Sequence, residues 1–207
     1  MATLLITGFE PFGHFAVNPS QEIVKHLSRN GRPAGAVTAI LPVDAARFPG
    51  MITDLLLDLQ PDLCLMLGQA NGYAALSVER VAINLCDFRI PDNAGIQRID
   101  EPIVQDGPAA YFSTAPVRAV VDAIRAAGIP ANLSLSAGAY LCNMVYYMAL
   151  HVCATRRLPT RCLFIHLPSL PAQSSADPRP GPTMALETMY AGVHAALDAC
   201  RSVRLSG

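Results

Sequence analysis

The sequence predicts an α/β fold: a single three-layer α/β/α domain on a mostly parallel twisted sheet, with an antiparallel excursion in the middle of the chain. Three observations carry this expectation. Short apolar runs closed by glycine or proline read as buried strands, as in Thr3–Thr7 before Gly8 and Leu63–Leu67 before Gly68. Segments with apolar residues at helical spacing alternate with them, the pattern of a parallel sheet. Composition is the third: 207 residues, 52% hydrophobic and 15% charged, suffice for a full core and are too apolar for disorder. No repeat or linker divides the chain, so residues 1–207 are expected to form one domain.

The elements follow in order. After the first strand comes a loop, Phe9 to Pro19, with three phenylalanines where loops are usually polar. Ser20 is expected to cap a helix with Ile23, Val24 and Leu27 on its buried face, and Glu22 suits its first turn. Ala36–Leu41 is the second strand, ending at Pro42. Phe48, Ile52, Leu55, Leu56 and Leu59 form one helical face stopped by Pro61, and the strand at Leu63 follows. Ser77–Leu85 alternates loosely as a strand with one wetter face. It runs into a turn-rich stretch, Asp87–Gly95. Ser113 or Thr114 is expected to cap the next helix, with Pro116 in its first turn and Val117, Val120, Val121 and Ile124 buried. Leu133–Leu135 and Cys162–Leu167 read as strands, the latter carrying His166. Pro168–Pro182 reads as a proline-rich mobile loop. The last helix buries Leu186, Met189, Tyr190, Val193, Leu197 and Cys200.

Composition also excludes function classes. A formal net charge of -1, with Lys25 the only lysine and no basic cluster, argues against a nucleic-acid partner. The six cysteines form no C-x-x-C pair and no metal-ligand spacing with histidine, so neither metal nor cofactor is expected. Met1-Ala2-Thr3 shows no basic n-region, and reduced cysteines in the cytoplasm are the simplest expectation. Ala137–Ala154 is barely long enough to span a bilayer and contains Asn143 and His151, so no membrane partner is expected.

Between Arg125 and Arg156 there is no charged residue, which marks a buried segment. Its strand turns through Ser136-Ala137-Gly138 into a helix that carries Cys142 in its first turns. The unpaired N–H groups and positive dipole end of a helix stabilise a thiolate there. A core cysteine is the plainer alternative. In sheets of this type ligands gather at the carboxyl ends of strands, which draws attention to His166 and Glu79. Cysteine, histidine and an acid suggest nucleophile, base and orienter. By residue chemistry alone, His166 could equally be a core histidine, and Glu79 an ion-pair partner of Arg80 or Arg89.

Five segments carry a family resemblance. Gly8-Phe9-Glu10-Pro11-Phe12-Gly13, Glu79–Leu85, Arg89–Gly95, Ser134–Asn143 and Phe164–Pro168 resemble, in order and over nearly the whole chain, those of pyroglutamyl peptidase I (pyrrolidone carboxyl peptidase). The resemblance implies a soluble cysteine peptidase that removes an N-terminal pyroglutamyl residue from peptides and releases 5-oxoproline. It implies Cys142 as nucleophile, His166 as general base then acid, and Glu79 as the acid that orients His166. It also implies a homo-oligomer, with a tetramer favoured, and Asn18 as a support of the phenylalanine loop.

Pyroglutamate is a neutral, flat lactam, so its pocket needs apolar walls with a donor and an acceptor for the lactam edge. Phe9, Phe12, Tyr140 and Ile90 are candidate walls, with Leu141 beside the nucleophile and Gln69 or main-chain groups as polar contacts. Arg89 is a candidate for stabilising negative charge, and N–H groups at the Cys142 helix start for holding an oxyanion. Departures from the family pattern are Tyr73, where Gly-Arg is usual at Gly72-Tyr73, Met144, where many have histidine, and Asp44–Phe48. Two rivals remain at this stage: a glutamine amidotransferase-like amidase, which should show a G-x-C-x-G elbow, and a non-catalytic small-ligand-binding paralogue.

Overall fold

In the computed structural model, residues 3–29, 33–175 and 180–202 are described. Strands β1 (Leu4–Phe9), β2 (Ala36–Leu41), β3 (Leu63–Gln69), β4 (Leu76–Glu79), β7 (Ala131–Ser134) and β8 (Arg161–Leu167) form a six-stranded sheet in the order β2-β1-β3-β8-β4-β7. The first four strands in that order run parallel. β4 lies antiparallel to β8, and β7 follows β4. A separate antiparallel pair, β5 (Val81–Ile83) and β6 (Ala110–Phe112), makes up the excursion.

Two apolar layers cover the sheet. On one face α1 (Pro19–Arg29), α3 (Val117–Ala126) and α6 (Leu186–Ser202) bury Leu4, Ile6, Leu65, Leu67, Val78 and Ile165. On the other, α2 (Phe48–Leu59) and α4 (Leu141–Arg156) cover Leu5, Cys64, Met66, Cys162 and Phe164. Strand alternation therefore turns Phe9, Gly68, His166 and Glu79 toward the α2–α4 face, because their strand neighbours Leu67, Val78 and Ile165 belong to the opposite layer.

Helix α2 starts with proline in its first turn and ends at Gln60, left-handed with φ 42°, just before Pro61. Helix α4 is buried nearly all round, including Asn143, Val145, Tyr146, Tyr147 and Leu150. Its missing charges are explained by its neighbours: the sheet on one side and α2 with the β5–β6 pair on the others.

Several expectations are corrected. The expected single strand Ser77–Leu85 is two, because the backbone of Arg80 passes from one sheet to the other: its N–H donates to Ser134 O at the end of β7 and its carbonyl accepts from Ser113 N just past β6. Neither Ser113 nor Thr114 caps α3. Ser113 Oγ donates to Cys162 O and Thr114 Oγ1 accepts from Cys162 N, so both clip the edge of β8 instead. Asn18 rather than Ser20 stands before α1, its Oδ1 accepting from Ser20 N at 3.0 Å, while Pro19 takes the first helical position. Leu135 lies past the end of β7 and is exposed. Within Pro168–Pro182 the chain forms a short helix, α5 (Pro171–Ser175), and Ser169 bridges to Thr183; residues 176–179 lie outside the described set.

Candidate active site

The three chemical groups come from β8, β4 and the start of α4. His166 on β8 is flanked in register by Gly68 on β3 and Ser77 on β4. Glu79 sits two pairings further along, opposite Phe164, with its side chain on the face of His166. His166 Nδ1 lies 2.8 Å from Glu79 Oε1. Both are buried, at 5% and 0% exposure. The ion-pair partner of Glu79 among the described residues is thus His166, not Arg80 or Arg89. Its second oxygen, Oε2, is buried without a hydrogen-bond partner among the described residues. Because β4 runs against β8, the carboxyl end of β4 lies beneath the histidine rather than at the mouth of the site, a reversal of the simple strand-end expectation.

Cys142 is the second residue of α4 and is partly exposed, whereas the other five cysteines are buried. The sulfur packs over Gly68, where a Cβ would lie 2.7 Å from Cys142 Sγ and 2.8 Å from Phe164 Cζ. Only glycine leaves room for the sulfur there. Burial lowers the pKa of His166, but the charge of Cys142 and hydrogen bonds to Cys142 and Glu79 outweigh it, so the imidazole is pushed up to about 9. A protonated histidine beside the sulfur is the partner a thiolate nucleophile needs. No side chain caps the first turn of α4, so N–H groups at its start remain available to an oxyanion.

A narrow cleft of about 40 Å³ opens beside the sulfur, lined by Phe9, Phe12, Asn18, Val43, Gln69, Tyr140, Leu141 and Cys142. Phe9 packs edge-on against Phe48, and Tyr140 against Phe88. Asn18 Nδ2 donates to Glu10 O and its Oδ1 accepts from Ser20 Oγ, tying the phenylalanine loop to α1. The Gln69 amide donates to Asn71 Oδ1 and accepts from Gln173 Nε2. Arg89 and Ile90 are exposed on the excursion and are not among the residues lining this cleft. Among the described residues no group of three or more metal-binding side chains occurs, and no helix is long and apolar enough to cross a membrane.

Over residues 2–202 the chain matches the family model of the pyroglutamyl peptidases. The chain belongs to the pyroglutamyl peptidase family. It is 47% identical over 199 residues to pyrrolidone-carboxylate peptidase 1 of Ralstonia nicotianae, covering 96% of this chain and 92% of that protein. It is 46% identical over 202 residues to a pyrrolidone-carboxylate peptidase of Vibrio vulnificus, covering 97% and 93%. Among solved structures, the pyrrolidone carboxyl peptidase from Thermococcus litoralis superposes with a TM-score of 0.91 at 38% identity, covering 98% of this chain and 94% of that one. Pyroglutamyl peptidase I of Bacillus amyloliquefaciens gives a TM-score of 0.91 at 35% identity, with 98% of each chain covered.

Against the family pattern noted in the sequence, Tyr73 stands beside the catalytic histidine candidate, its ring edge-on to His166 at 6.1 Å. Met144 is buried, and its sulfur lies 4.0 Å from Arg98 Nη1. The divergent segment at Asp44 is anchored by Asp92, whose Oδ2 accepts from Ala45 N. Sequence reasoning missed four contributors. Gly68 and Val43 touch the site through close approach, which spacing does not reveal. Asn143 clasps β5 by accepting from Ile83 N and donating to Ile83 O and Leu85 O. Asn93 donates to Glu10 Oε1 and Pro11 O, latching the excursion to the phenylalanine loop. The only sequence signal for Asn143 was a polar residue inside a charge-free helix.

Proposed function

We propose that the chain is a cysteine-type pyroglutamyl peptidase that hydrolyses the bond after an N-terminal pyroglutamyl residue and releases 5-oxoproline. The observation that carries this reading is the contact chain Glu79–His166–Cys142 at the side of an apolar cleft. The Cys142 sulfur attacks the scissile carbonyl, and the oxyanion is held by N–H groups at the start of α4. His166 donates its proton to the leaving nitrogen, and the peptide departs to leave a pyroglutamyl thioester. His166 then takes a proton from water, which attacks the thioester, and the thiol is restored. Glu79 holds Nδ1 so that the other ring nitrogen faces the sulfur.

The lactam ring lies between Phe9, Phe12 and Tyr140, with Leu141 beside the nucleophile. Asn18 holds the loop, and Gln69 or main-chain groups meet the lactam edge. Arg89, for negative charge, and Ile90, as a wall, would act from outside the residues that line the cleft. The site works without metal or cofactor, on peptide substrates, within one domain spanning residues 1–207. Six unpaired cysteines support a reducing, cytoplasmic setting. Exposed apolar side chains such as Phe112 and Leu135 support a homo-oligomer, with a tetramer favoured; sedimentation near the 22.0 kDa of one chain would refute that.

The deciding experiment offers a pyroglutamyl-anilide reporter beside its prolyl and glutaminyl analogues. Cleavage of the pyroglutamyl compound alone is expected. Equal release of the aniline from the glutaminyl analogue would mean that the site does not select the lactam, and ammonia release from it without aniline would point to an amidase instead.

A further inference from the structure

Phe12 and Val43, on the walls of the narrow cleft, lie beyond the ends of β1 and β2, where the strand ladder no longer holds them. A closed ring of hydrogen bonds takes over there. Glu10 Oε1 accepts from Val43 N at 2.9 Å and from Asn93 Nδ2 at 3.0 Å. Asn93 N in turn donates to Val43 O at 2.8 Å. Both backbone polar groups of the wall residue Val43 are thereby taken up by Glu10 and Asn93. The ring reaches other walls as well. Glu10 O accepts from Asn18 Nδ2 at 3.0 Å, and Pro91 O, two residues before Asn93, accepts from the Tyr140 hydroxyl at 3.2 Å. Asn18 and Tyr140 both line the cleft.

The partners of the Glu10 carboxylate are neutral. Among the described residues no cation pairs with it. Its charge serves instead to strengthen two N–H donors that meet on one oxygen. A loop acid kept only for solvation would not bridge partners 33 and 83 residues away in sequence.

We propose that Glu10 is a specificity-determining residue, whose carboxylate sets the wall spacing at which a flat lactam touches both sides of the cleft. The inference rests on the peptidase reading above and adds a residue to its recognition, not to its chemistry. A gap of about 1 Å forfeits up to roughly half of each dispersion contact, so a released wall loses much of its hold on the ring. A spacing fixed before the substrate arrives also spares the cost of ordering loops on binding. Glu79, His166 and Cys142 stand on β4, β8 and α4, and among the described residues none of them bonds to Glu10, Val43 or Asn93.

The test measures kcat and KM for a pyroglutamyl-anilide and, separately, the protection of Cys142 against iodoacetamide by 5-oxoproline. The second readout needs no turnover. In Glu10→Ala, KM and the 5-oxoproline concentration for half-protection should both rise by roughly 10-fold or more, the effect of losing hydrogen bonds to a charged acceptor. The turnover number, and the alkylation rate without 5-oxoproline, should stay close to those of the wild type. Glu10→Gln, whose amide oxygen accepts both bonds without the charge, should fall between the two. A Gln variant as weak as the Ala variant would overturn the assignment of the effect to these bonds.

A role in folding alone would lower the melting temperature and leave both affinities of the folded protein unchanged, which would overturn the proposal. A fall in kcat or in unprotected alkylation in step with the rise in KM would overturn it too, because Glu10 would then support the chemistry. Should Glu10→Ala not fold, Asn93→Ala breaks the ring at an exposed corner. KM should then rise by at least ~3-fold, and an unchanged KM would overturn the proposal. A wild type that neither cleaves the anilide nor is protected by 5-oxoproline would instead defeat the peptidase reading, and the role of Glu10 with it.

Discussion

The carboxylate of Glu79 has one oxygen on His166 and the other with no partner among the described residues, in a place without solvent exposure. Glu79→Gln therefore breaks no second hydrogen bond, but it removes the charge that favours the imidazolium. Turnover should fall by up to roughly 10⁴-fold, as in the analogous serine triad, with little change in melting temperature. A large loss of melting temperature with near-normal turnover would make Glu79 a structural residue. Cys142→Ala should abolish turnover, because the other five thiols are buried. It should also move the titration of His166 below about 9, because the Cys142 charge is the strongest influence raising it. Imidazole proton shifts followed against pH would check this, and an unmoved titration would mean that Glu79 alone sets the value.

At the scale of elements, β3 serves the site by what it lacks. Gly68→Ala would drive a methyl group into Cys142 Sγ and Phe164, and Phe164 is fully buried with no room to retreat. We expect a loss of about 1–3 kcal/mol of stability from overpacking. A sulfur displaced by about 1 Å costs up to ~100-fold in kcat. Thermal melts and steady-state kinetics on one preparation would measure both, and unaltered kinetics would mean that the close approach is not needed. Much of this layout was legible beforehand. Apolar runs marked β1, β2, β3 and β8, and helical spacing marked α2, α3 and α6, because burial on a fixed face leaves a period in the sequence. What stayed hidden depends on partners far along the chain. Arg80 divides β4 from β5 only because Ser134 and Ser113 bind its backbone. Ser113 and Thr114 look like caps until β8 is beside them. The pairing of β4 against β8 sets where Glu79 points, and no local pattern encodes strand direction. Residue type drew attention to Cys142, His166 and Glu79 but left a core cysteine, a core histidine and an ion-pair acid as alternatives, and only the family resemblance implied their roles.

For the molecule as a whole, the histidine couples the site to global stability. Its folded pKa of about 9 lies above its ordinary value of 6.5. The stabilisation is therefore complete below pH 6.5 and is lost as pH rises through 9. Burial pushes the thiols of Cys86 and Cys200 up to about 11, and their contribution is lost only above pH 9. Melting temperature should therefore decline between pH 6.5 and 9 in the wild type but much less in His166→Gln, with a further decline in both above that window. A flat wild-type profile from pH 6.5 to 9 would contradict the coupling.

The latch of Asn93 on Glu10 and the Pro11 carbonyl is made by an exposed side chain, whereas His166 and Glu79 sit on inner strands of the sheet. On the proposed reading, chemistry and recognition thus occupy different tiers of local stability. Segments held by few, solvent-accessible hydrogen bonds open well before a central ladder does. On warming, the enzyme should first become indiscriminate and only later inactive: KM for a pyroglutamyl reporter climbs while kcat still follows its ordinary rise with temperature. Amide exchange should show the same order, with the loop after β1 and the excursion exchanging long before β8.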